Sequence, residues 1–195
     1  MYNAELSAGS LMLPESRKIA GFLLTRPTPQ EWNQALRIDN LLQKRAPSTA
    51  LRLSRLIRNR LEPMPEEALR LINQGEAEVA TQMLLIAAIK HSRLMGDFMR
   101  EVLREHIRTF QTSLSRKDWE YYFLECTQRD PAVSFWSEST RAKLFQVILR
   151  ILKEARYIDA TRNPRLCRVA LHPVVRDYLE RYRETYVQEC MDLYA

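Results

Sequence analysis

Apolar residues recur at intervals of three and four along almost the whole chain, which is the spacing of helices with one buried face. Glycine occurs four times in 195 residues, and no low-complexity linker interrupts the pattern. The pattern predicts helices over residues 15–24, 29–45, 48–62, 66–74, 76–95, 97–110, 138–155 and 173–192, with another beginning at 115. We therefore expect a compact all-α protein with at most one short β-hairpin.

Two of the predicted helices begin with capping signals. Thr28 precedes Pro29 and has Glu31 three positions later, which is a capping box with proline at the first helical position. Ser115 has Asp118 at the same spacing. Both helices should therefore start where these signals lie.

The core is predicted to form around the most apolar helix, residues 76–95. Gly96 and Asp97 are expected to end this helix, with Asp97 capping the next one. The helix that begins at 115 has an aromatic stripe at helical spacing, which indicates core packing rather than a platform for stacking bases. The stripe consists of Trp119, Tyr122, Phe123 and Cys126.

The break at Ala46–Pro47 separates two predicted helices by a turn of about three residues, which is typical of a helix-turn-helix motif. The apolar residues of the 48–62 helix share one face at 100° per residue. The opposite face carries Arg52, Arg55, Arg58 and Asn59, and the turn carries Lys44 and Arg45.

A second basic segment follows the long helix 138–155. Residues 157–158 and 167–171 are predicted to be short strands of a hairpin spanning 157–171, and a helix followed by a basic hairpin is typical of a winged helix. The hairpin carries Arg162, Arg165 and Arg168. We expect an N-terminal helical lobe, residues 1–75, and a C-terminal lobe, residues 76–195, packed together as one globular unit.

The net charge is concentrated in one segment. Residues 37–60 contain seven basic residues and one acid, a net charge of +6, and the remaining 23 basic and 23 acidic residues cancel. Of the 30 basic residues 24 are arginine, whose planar guanidinium matches phosphate oxygens. No acid lies between Lys44 and Arg60, whereas a solvated helix face usually mixes both signs. The segment therefore indicates contact with a polyanion, with a plain solvated face as the alternative.

The sequence lacks the patterns of common catalytic and cofactor sites. It has no G-x-G-x-x-G, phosphate loop, nucleophile elbow or metal-binding histidine spacing. Its three scattered cysteines indicate reduced thiols in a cytoplasmic protein. The longest apolar run, residues 83–89, is far shorter than the ~20 residues that span a membrane. We expect no enzyme activity, no metal or cofactor, no small-molecule substrate and no membrane association.

Several short motifs resemble those of a known family. They are Leu-Met-Leu at 11–13, Glu-Ser-Arg at 15–17, Glu-Trp at 31–32, Asn-Leu-Leu-Gln at 40–43, Ser-Thr-Ala at 48–50 and Arg-Asn-Arg-Leu at 58–61. Tyr-Ile at 157–158 and Val-Ala-Leu-His-Pro at 169–173 extend the similarity towards the C-terminus. These motifs resemble the BrxA family, small proteins of the BREX bacteriophage-exclusion systems of bacteria.

The resemblance implies a non-enzymatic accessory protein of a phage-defence operon, all-helical with helix-turn-helix character and affinity for double-stranded DNA. Members have also been likened to an RNA-binding antitermination factor, and some have been labelled membrane proteins. The short apolar run disfavours the membrane label for this chain. The resemblance carries over no catalytic residues, so candidate contact residues rest on the charge pattern.

The leading hypothesis is that helix 48–62 lies in or along the major groove and that the hairpin makes a second contact. Other BREX proteins are a further expected partner. One alternative is a protein-interaction subunit whose arginines dock on acidic surfaces. Another is an RNA-binding factor that uses exposed aromatics. The predicted DNA-contacting residues are Lys44, Arg45, Arg52, Arg55, Arg58, Asn59, Arg162, Arg165 and Arg168.

Overall fold

The computed structural model describes residues 1–194. The α-helices are α1 (Leu13–Leu24), α2 (Pro29–Arg37), α3 (Pro47–Leu61), α4 (Glu66–Gln74), α5 (Ala77–His91), α6 (Arg93–Asp97), α7 (Arg104–Arg108), α8 (Arg116–Arg129), α9 (Glu138–Glu154), α10 (Pro173–Arg181) and α11 (Thr185–Met191). A π-helical segment, Phe98–Leu103, joins α6 to α7, and 3-10 turns occupy Glu5–Ala8 and Pro131–Phe135. Residues 1–194 contain no strand or sheet, so the predicted all-α class is confirmed.

Helix α5 lies at the centre of the molecule, as its apolar sequence predicts. Residues 82–89 are buried without interruption. Helices α1, α3, α4, α6, α10 and α11 pack around it. It ends at His91 because Ser92 takes extended angles, φ −131° and ψ 99°, and the chain then continues as α6. The predicted end of this helix at residue 95 is therefore wrong.

The predicted break at Gly96 and cap at Asp97 are also wrong, since both residues lie within α6. Gly96 is small for a tertiary reason, because an added Cβ would lie 2.3 Å from the hydroxyl oxygen of Tyr186. The buried carboxylate of Asp97 accepts hydrogen bonds from the hydroxyls of Tyr2 and Tyr186 at 3.0 and 2.9 Å. Arg93 and Arg100 also pair with this carboxylate, at 3.1 and 3.5 Å. Asp97 thus ties the N-terminus and α11 to the core.

Both capping boxes form as predicted. The Thr28 hydroxyl accepts from the Glu31 amide, and the Glu31 carboxylate accepts from the Thr28 amide at 2.7 Å. Ser115 and Asp118 make the same reciprocal pair, with the Ser115 amide donating to the Asp118 carboxylate at 2.6 Å. The burial of the α8 aromatic stripe is likewise confirmed.

The connection between α2 and α3 differs from the predicted short turn. Helix α2 ends at Arg37 rather than near residue 45, and residues 38–46 form an irregular loop. Asn40 and Gln43 have left-handed φ values of 47° and 52°. The Asn40 side chain bonds to both the amide and the carbonyl of Lys44, at 3.0 and 3.1 Å. Leu42 is still buried, although it lies in this loop and not in a helix.

The predicted hairpin at 157–171 is replaced by two isolated β-bridges, Ile158 with Leu166 and Ser113 with Arg165. The strand predicted at 167–171 is therefore wrong. The Leu166 amide donates to the Thr112 carbonyl at 2.8 Å, and the Cys167 amide donates to the Tyr157 carbonyl at 2.9 Å. The segment divides its hydrogen bonds between two neighbours, which is why no two-stranded ladder extends from it.

The helix predicted over residues 173–192 is interrupted at 182–184. Helix α10 ends at Arg181, and α11 begins at Thr185. Between them Arg183 takes a left-handed φ of 52°. The chain turns here to place α11 beside the Asp97 cluster.

Contacts cross the predicted lobe boundary at residue 75. Helix α4 packs on both α1 and α5. Glu67 of α4 binds Arg181 at 2.7 Å and the Tyr182 hydroxyl at 3.0 Å. The division into residues 1–75 and 76–195 stays a prediction. Within residues 1–194, no helix combines the length and apolar character needed to cross a bilayer.

Candidate nucleic-acid interface

Helix α3 turns its apolar side to the core and two of its four arginines to solvent. Arg52 and Arg55 are exposed, as is Asn59, whereas Arg58 is half-buried. Arg52 donates to the Ala8 carbonyl at 2.5 Å. Arg55 has no acidic partner among residues 1–194. The helix therefore presents Arg52, Arg55 and Asn59 to solvent.

Acids from outside the basic segment neutralise part of it. Glu62, one turn beyond Arg58, binds that arginine at 2.8 Å, and the guanidinium of Arg58 lies 4.6 Å from the centre of the Trp32 ring. Lys44 forms a half-buried ion pair with Glu15 of α1 at 2.5 Å. Arg45 is exposed, with no acid near it in the described part of the chain. Lys44 and Arg58 therefore have less free charge than the sequence indicates.

Arg60 is a structural residue. It is 5% exposed and donates to the carbonyls of Gly9 and Ser10 at 2.9 and 2.6 Å. Burial lowers the pKa of Arg60 to about 10, although the nearby Glu154 carboxylate favours its charged form. This arginine fastens the N-terminal segment to α3 and is inaccessible to a polyanion.

The bridged segment holds the second predicted group of arginines at the surface. Arg162, Arg165 and Arg168 are all exposed, and none has an acid within ion-pair distance in residues 1–194. The Arg165 amide donates to the Asp159 carboxylate at 2.8 Å, which fixes the base of the loop. The Arg168 guanidinium lies 5.1 Å from the Tyr194 ring centre. We call these three residues the basic loop.

Helix α9 carries a cationic face that the sequence analysis missed. Lys143, Gln146, Arg150 and Lys153 are exposed, and their spacing of three and four residues places them on one side of the helix. Over the part of the chain described, no acid pairs with the three cations. We call these four residues the α9 cationic face. Counting net charge over a window of sequence hides this face. The spacing of three and four residues between its members is the signal that could have revealed it.

The N-terminal segment joins the ends of α3 and α9. Arg60 of α3 binds the Ser10 carbonyl, and Glu154 of α9 accepts from the Ser10 hydroxyl at 2.6 Å and the Leu11 amide at 2.7 Å. The 3-10 turn Glu5–Ala8 packs against both helices. The basic residues of α3 and α9 are therefore held on one framework.

The chemistry of this surface is that of ion pairing and hydrogen bonding. Its exposed groups are guanidinium, ammonium and amide groups, which suit phosphate oxygens and base edges. Among residues 1–194 no cluster of three or more histidine, cysteine or acidic side chains has the geometry of a metal site. Burial raises the pKa of the Cys126 thiol to about 11, so this cysteine is not a ready nucleophile.

Comparison with known proteins gives the family. The chain is 43% identical to BREX protein BrxA of Paramagnetospirillum magneticum over 98% of its own length and 96% of the relative's. It is 34% identical to BREX protein BrxA of Escherichia coli over 91% and 83% of the two lengths. A crystal structure of an uncharacterized protein from Magnetospirillum magneticum superimposes with a TM-score of 0.92 at 42% identity, covering 98% of each chain. The BrxA family profile matches residues 1–183, so the resemblance is confirmed and this chain belongs to the BrxA family.

Proposed function

We propose that the chain is a non-enzymatic accessory protein of a BREX phage-defence system and that it binds double-stranded DNA. The observation that carries this proposal is the α9 cationic face with the basic loop that follows it in the chain. Together they expose six cations, and none has an acidic partner in residues 1–194. Surfaces of this kind attract a polyanion before any specific contact forms.

The order of elements supports docking through α9. Helix α8, the 3-10 turn Pro131–Phe135 and α9 follow one another as the two helices of a helix-turn-helix motif do, and the bridged segment comes next in place of the predicted hairpin. In this mode α9 enters the major groove and the basic loop contacts the neighbouring backbone. Arg52 and Arg55 of α3, with Arg45 of the preceding loop, supply a further contact. Most of these contacts position the protein on phosphates, so affinity depends weakly on sequence.

The RNA-binding alternative draws less support from the structure. Tyr178 is buried, the Tyr182 hydroxyl donates to Glu67, and the Tyr186 hydroxyl donates to Asp97. Tyr182 is the one of the three that is exposed, at 40%, whereas a base-stacking platform needs several exposed ring faces in a row. An A-form helix also presents a deep, narrow major groove that α9 does not fit.

The proposal is tested by mobility-shift titration of a random-sequence duplex with three triple variants. The first replaces Lys143, Arg150 and Lys153 with glutamine, the second Arg162, Arg165 and Arg168, and the third Arg52, Arg55 and Arg58. We expect the α9 and basic-loop variants each to weaken duplex binding at least tenfold at physiological salt, because each loses three phosphate contacts. The α3 variant should weaken binding less, since Arg58 is already paired.

A charge-matched control replaces Arg26, Arg70 and Arg108, whose exposed side chains pair with Glu66 or Glu105. It makes the same change in net charge and should bind the duplex within twofold of wild type. A single strand and an RNA hairpin serve as competitors and should compete poorly. An equal loss of duplex affinity in the control and in the α9 variant would contradict the proposed site. Absence of duplex binding by the wild type contradicts the function.

A further inference from the structure

A cleft of about 520 Å³ opens between α8 and α9, next to the α9 cationic face, with which it shares Gln146. Trp119, Phe123 and Leu124 line it from α8, and Ala142 and Phe145 line it from α9. The Trp119 ring stacks on that of Phe145, with centroids 5.4 Å apart, and forms an aromatic floor. We call this cleft the α8–α9 groove. Its volume falls in the range of natural binding sites, roughly 300–1,000 Å³.

The groove has the shape of a helix-binding site. Its α8 lining recurs at 116, 119–120, 123–124 and 127, and its α9 lining at 138, 141–142 and 145–146. Such spacing means that the groove extends along both helices, over about 17 Å of α8 and about 12 Å of α9 at 1.5 Å per residue. A third helix of three turns fits this length and would pack its side-chain ridge between the two walls.

Apolar surface continues beyond the groove onto its rim. Leu124, on the α8 wall, is 58% exposed. Phe135 adjoins the lining residue Ser134 and is 89% exposed. A small molecule inside the groove would leave part of Leu124 in water, whereas a helix laid along the groove covers it. The rim therefore favours a macromolecular occupant.

One charged side chain in the groove lacks a counter-charge. The Arg141 guanidinium lies 5.2 Å from the Phe123 ring centre, and its Nε is buried without a hydrogen-bond acceptor in the described residues. No acid of residues 1–194 lies within ion-pair distance of it. Arg116, at the groove's edge, is by contrast held by Glu120 at 2.9 Å and Glu138 at 3.9 Å. A buried donor of this kind is stabilised when an occupant supplies an acceptor, best of all a carboxylate.

We propose that the α8–α9 groove binds an amphipathic helix of a partner protein. The apolar stripe of that helix covers Trp119, Phe123 and Phe145, and a glutamate or aspartate on the same stripe pairs with Arg141. The groove lies about a quarter-turn around α9 from the cationic face at 100° per residue. The partner helix and a DNA duplex would therefore lie on adjacent sides of α9 that meet at Gln146.

The test uses synthetic 18-residue helical peptides on the full chain. Each peptide has leucines at i, i+3, i+7 and i+10 and one glutamate. The glutamate lies beside a different leucine in each peptide, so that the set samples each register of the helix in the groove. A second set has glutamine in place of glutamate. Binding is followed by anisotropy of a labelled peptide and by the intrinsic tryptophan fluorescence of the protein, to which Trp119 in the groove contributes. We expect the best glutamate peptide to bind at least fivefold more tightly than its glutamine counterpart.

Three variants localise the binding. Arg141→Gln should remove the preference for glutamate, and Leu124→Lys should weaken all the peptides at least tenfold. Ile38→Lys is the matched control, because Ile38 is 77% exposed and lies outside the groove, and it should change nothing. No saturable binding by any peptide up to 1 mM overturns the proposal, as does equal affinity for the two sets. A wild-type dimer in sedimentation that Leu124→Lys dissociates would also overturn it, since the occupant would then be a second copy.

Discussion

Arg55 and Arg60 lie five positions apart on α3 and have opposite surroundings. Arg55 extends into solvent, whereas Arg60 is 5% exposed and holds two backbone carbonyls of the N-terminal segment. Both contribute equally to the basic segment when charge is counted along the sequence. The fold leaves Arg55 free in solvent and uses Arg60 for stability, because an arginine acts through the acceptors around its guanidinium.

Replacing Arg60 with methionine should lower the free energy of unfolding by about 3 kcal/mol, because the Gly9 and Ser10 carbonyls lose charged donors in a buried place. Urea denaturation measures this change. Arg55→Met is the control and should stay within ~0.5 kcal/mol of wild type, as surface substitutions usually do. A loss below ~1 kcal/mol for Arg60→Met would contradict the structural role.

Gly96→Ala tests the contact between α6 and α11. The added methyl group would lie 2.3 Å from the Tyr186 hydroxyl oxygen, so that ring must move and release Asp97. We expect a loss of about 1–3 kcal/mol, the usual range for overpacking a core. Thermal unfolding checks this, with Gly21→Ala as the helical control, where Asn73 side-chain atoms at 3.0–3.1 Å can yield. Equal stability of the two variants would contradict the tight contact.

Helix starts are the best-predicted elements because their signals are local. Thr28 with Glu31 and Ser115 with Asp118 satisfy their helix ends within four residues of chain, and both boxes form as predicted. Helix ends are less predictable. The stop after His91 and the interruption at Arg183 depend on how neighbouring elements pack, and nothing in the adjacent sequence marks them.

The candidate site was partly predictable for the same reason. The exposed arginines of α3 and of the basic loop lie where helical periodicity and turn residues place them. Lys44 pairs with Glu15 of α1, 29 positions away. A count of charge within residues 37–60 does not include this acid. The α9 cationic face was not predicted because its cations are spaced over three helical turns, and acids elsewhere in the sequence balance them in the net charge.

Ser115→Ala measures the value of one capping box. We expect a loss of about 1 kcal/mol, because the Asp118 amide loses its acceptor at the start of α8. Chemical denaturation is again the measurement. Ser113→Ala changes a nearby exposed serine that lies outside the box and should be close to neutral. Equal effects of the two substitutions would mean that the box adds no stability.

At the scale of the whole molecule, buried tyrosines set the response to alkaline pH. Burial raises the pKa of Tyr157 and Tyr178 above the ordinary value of 10. The folded state keeps these protons where the unfolded state releases them, so the free energy of unfolding should fall as pH rises above about 10. The lowered pKa of Arg60 makes the free energy of unfolding rise with pH over the same range, but this opposing effect comes from a single group.

Urea unfolding from pH 8 to 11, combined with tyrosinate absorbance, measures this effect. We expect native tyrosines to ionise mainly as the protein unfolds. Tyr157→Phe should lower stability at pH 8, through loss of the hydrogen bond to the Met191 carbonyl, and should flatten the decline above pH 10. Stability that stays constant or rises between pH 10 and 11 would contradict the burial of these phenols.

The whole molecule presents two surfaces of different chemistry on one pair of helices. The α9 cationic face and the basic loop offer charge without counter-charge, and the α8–α9 groove offers apolar area around Arg141. Such an arrangement suits an accessory protein that brings a partner to DNA without reacting with either. The groove adds a place for protein contact that the charge pattern does not indicate.

The central claim is that the cations of α9 contact DNA phosphates. The most direct test is the slope of log K against log salt concentration for a random-sequence duplex, measured with wild type and with the Lys143, Arg150 and Lys153 triple glutamine variant. Each lost contact should reduce the slope by about 0.9, so the variant should show a slope shallower by roughly 2–3. Identical slopes for the two proteins would contradict the account.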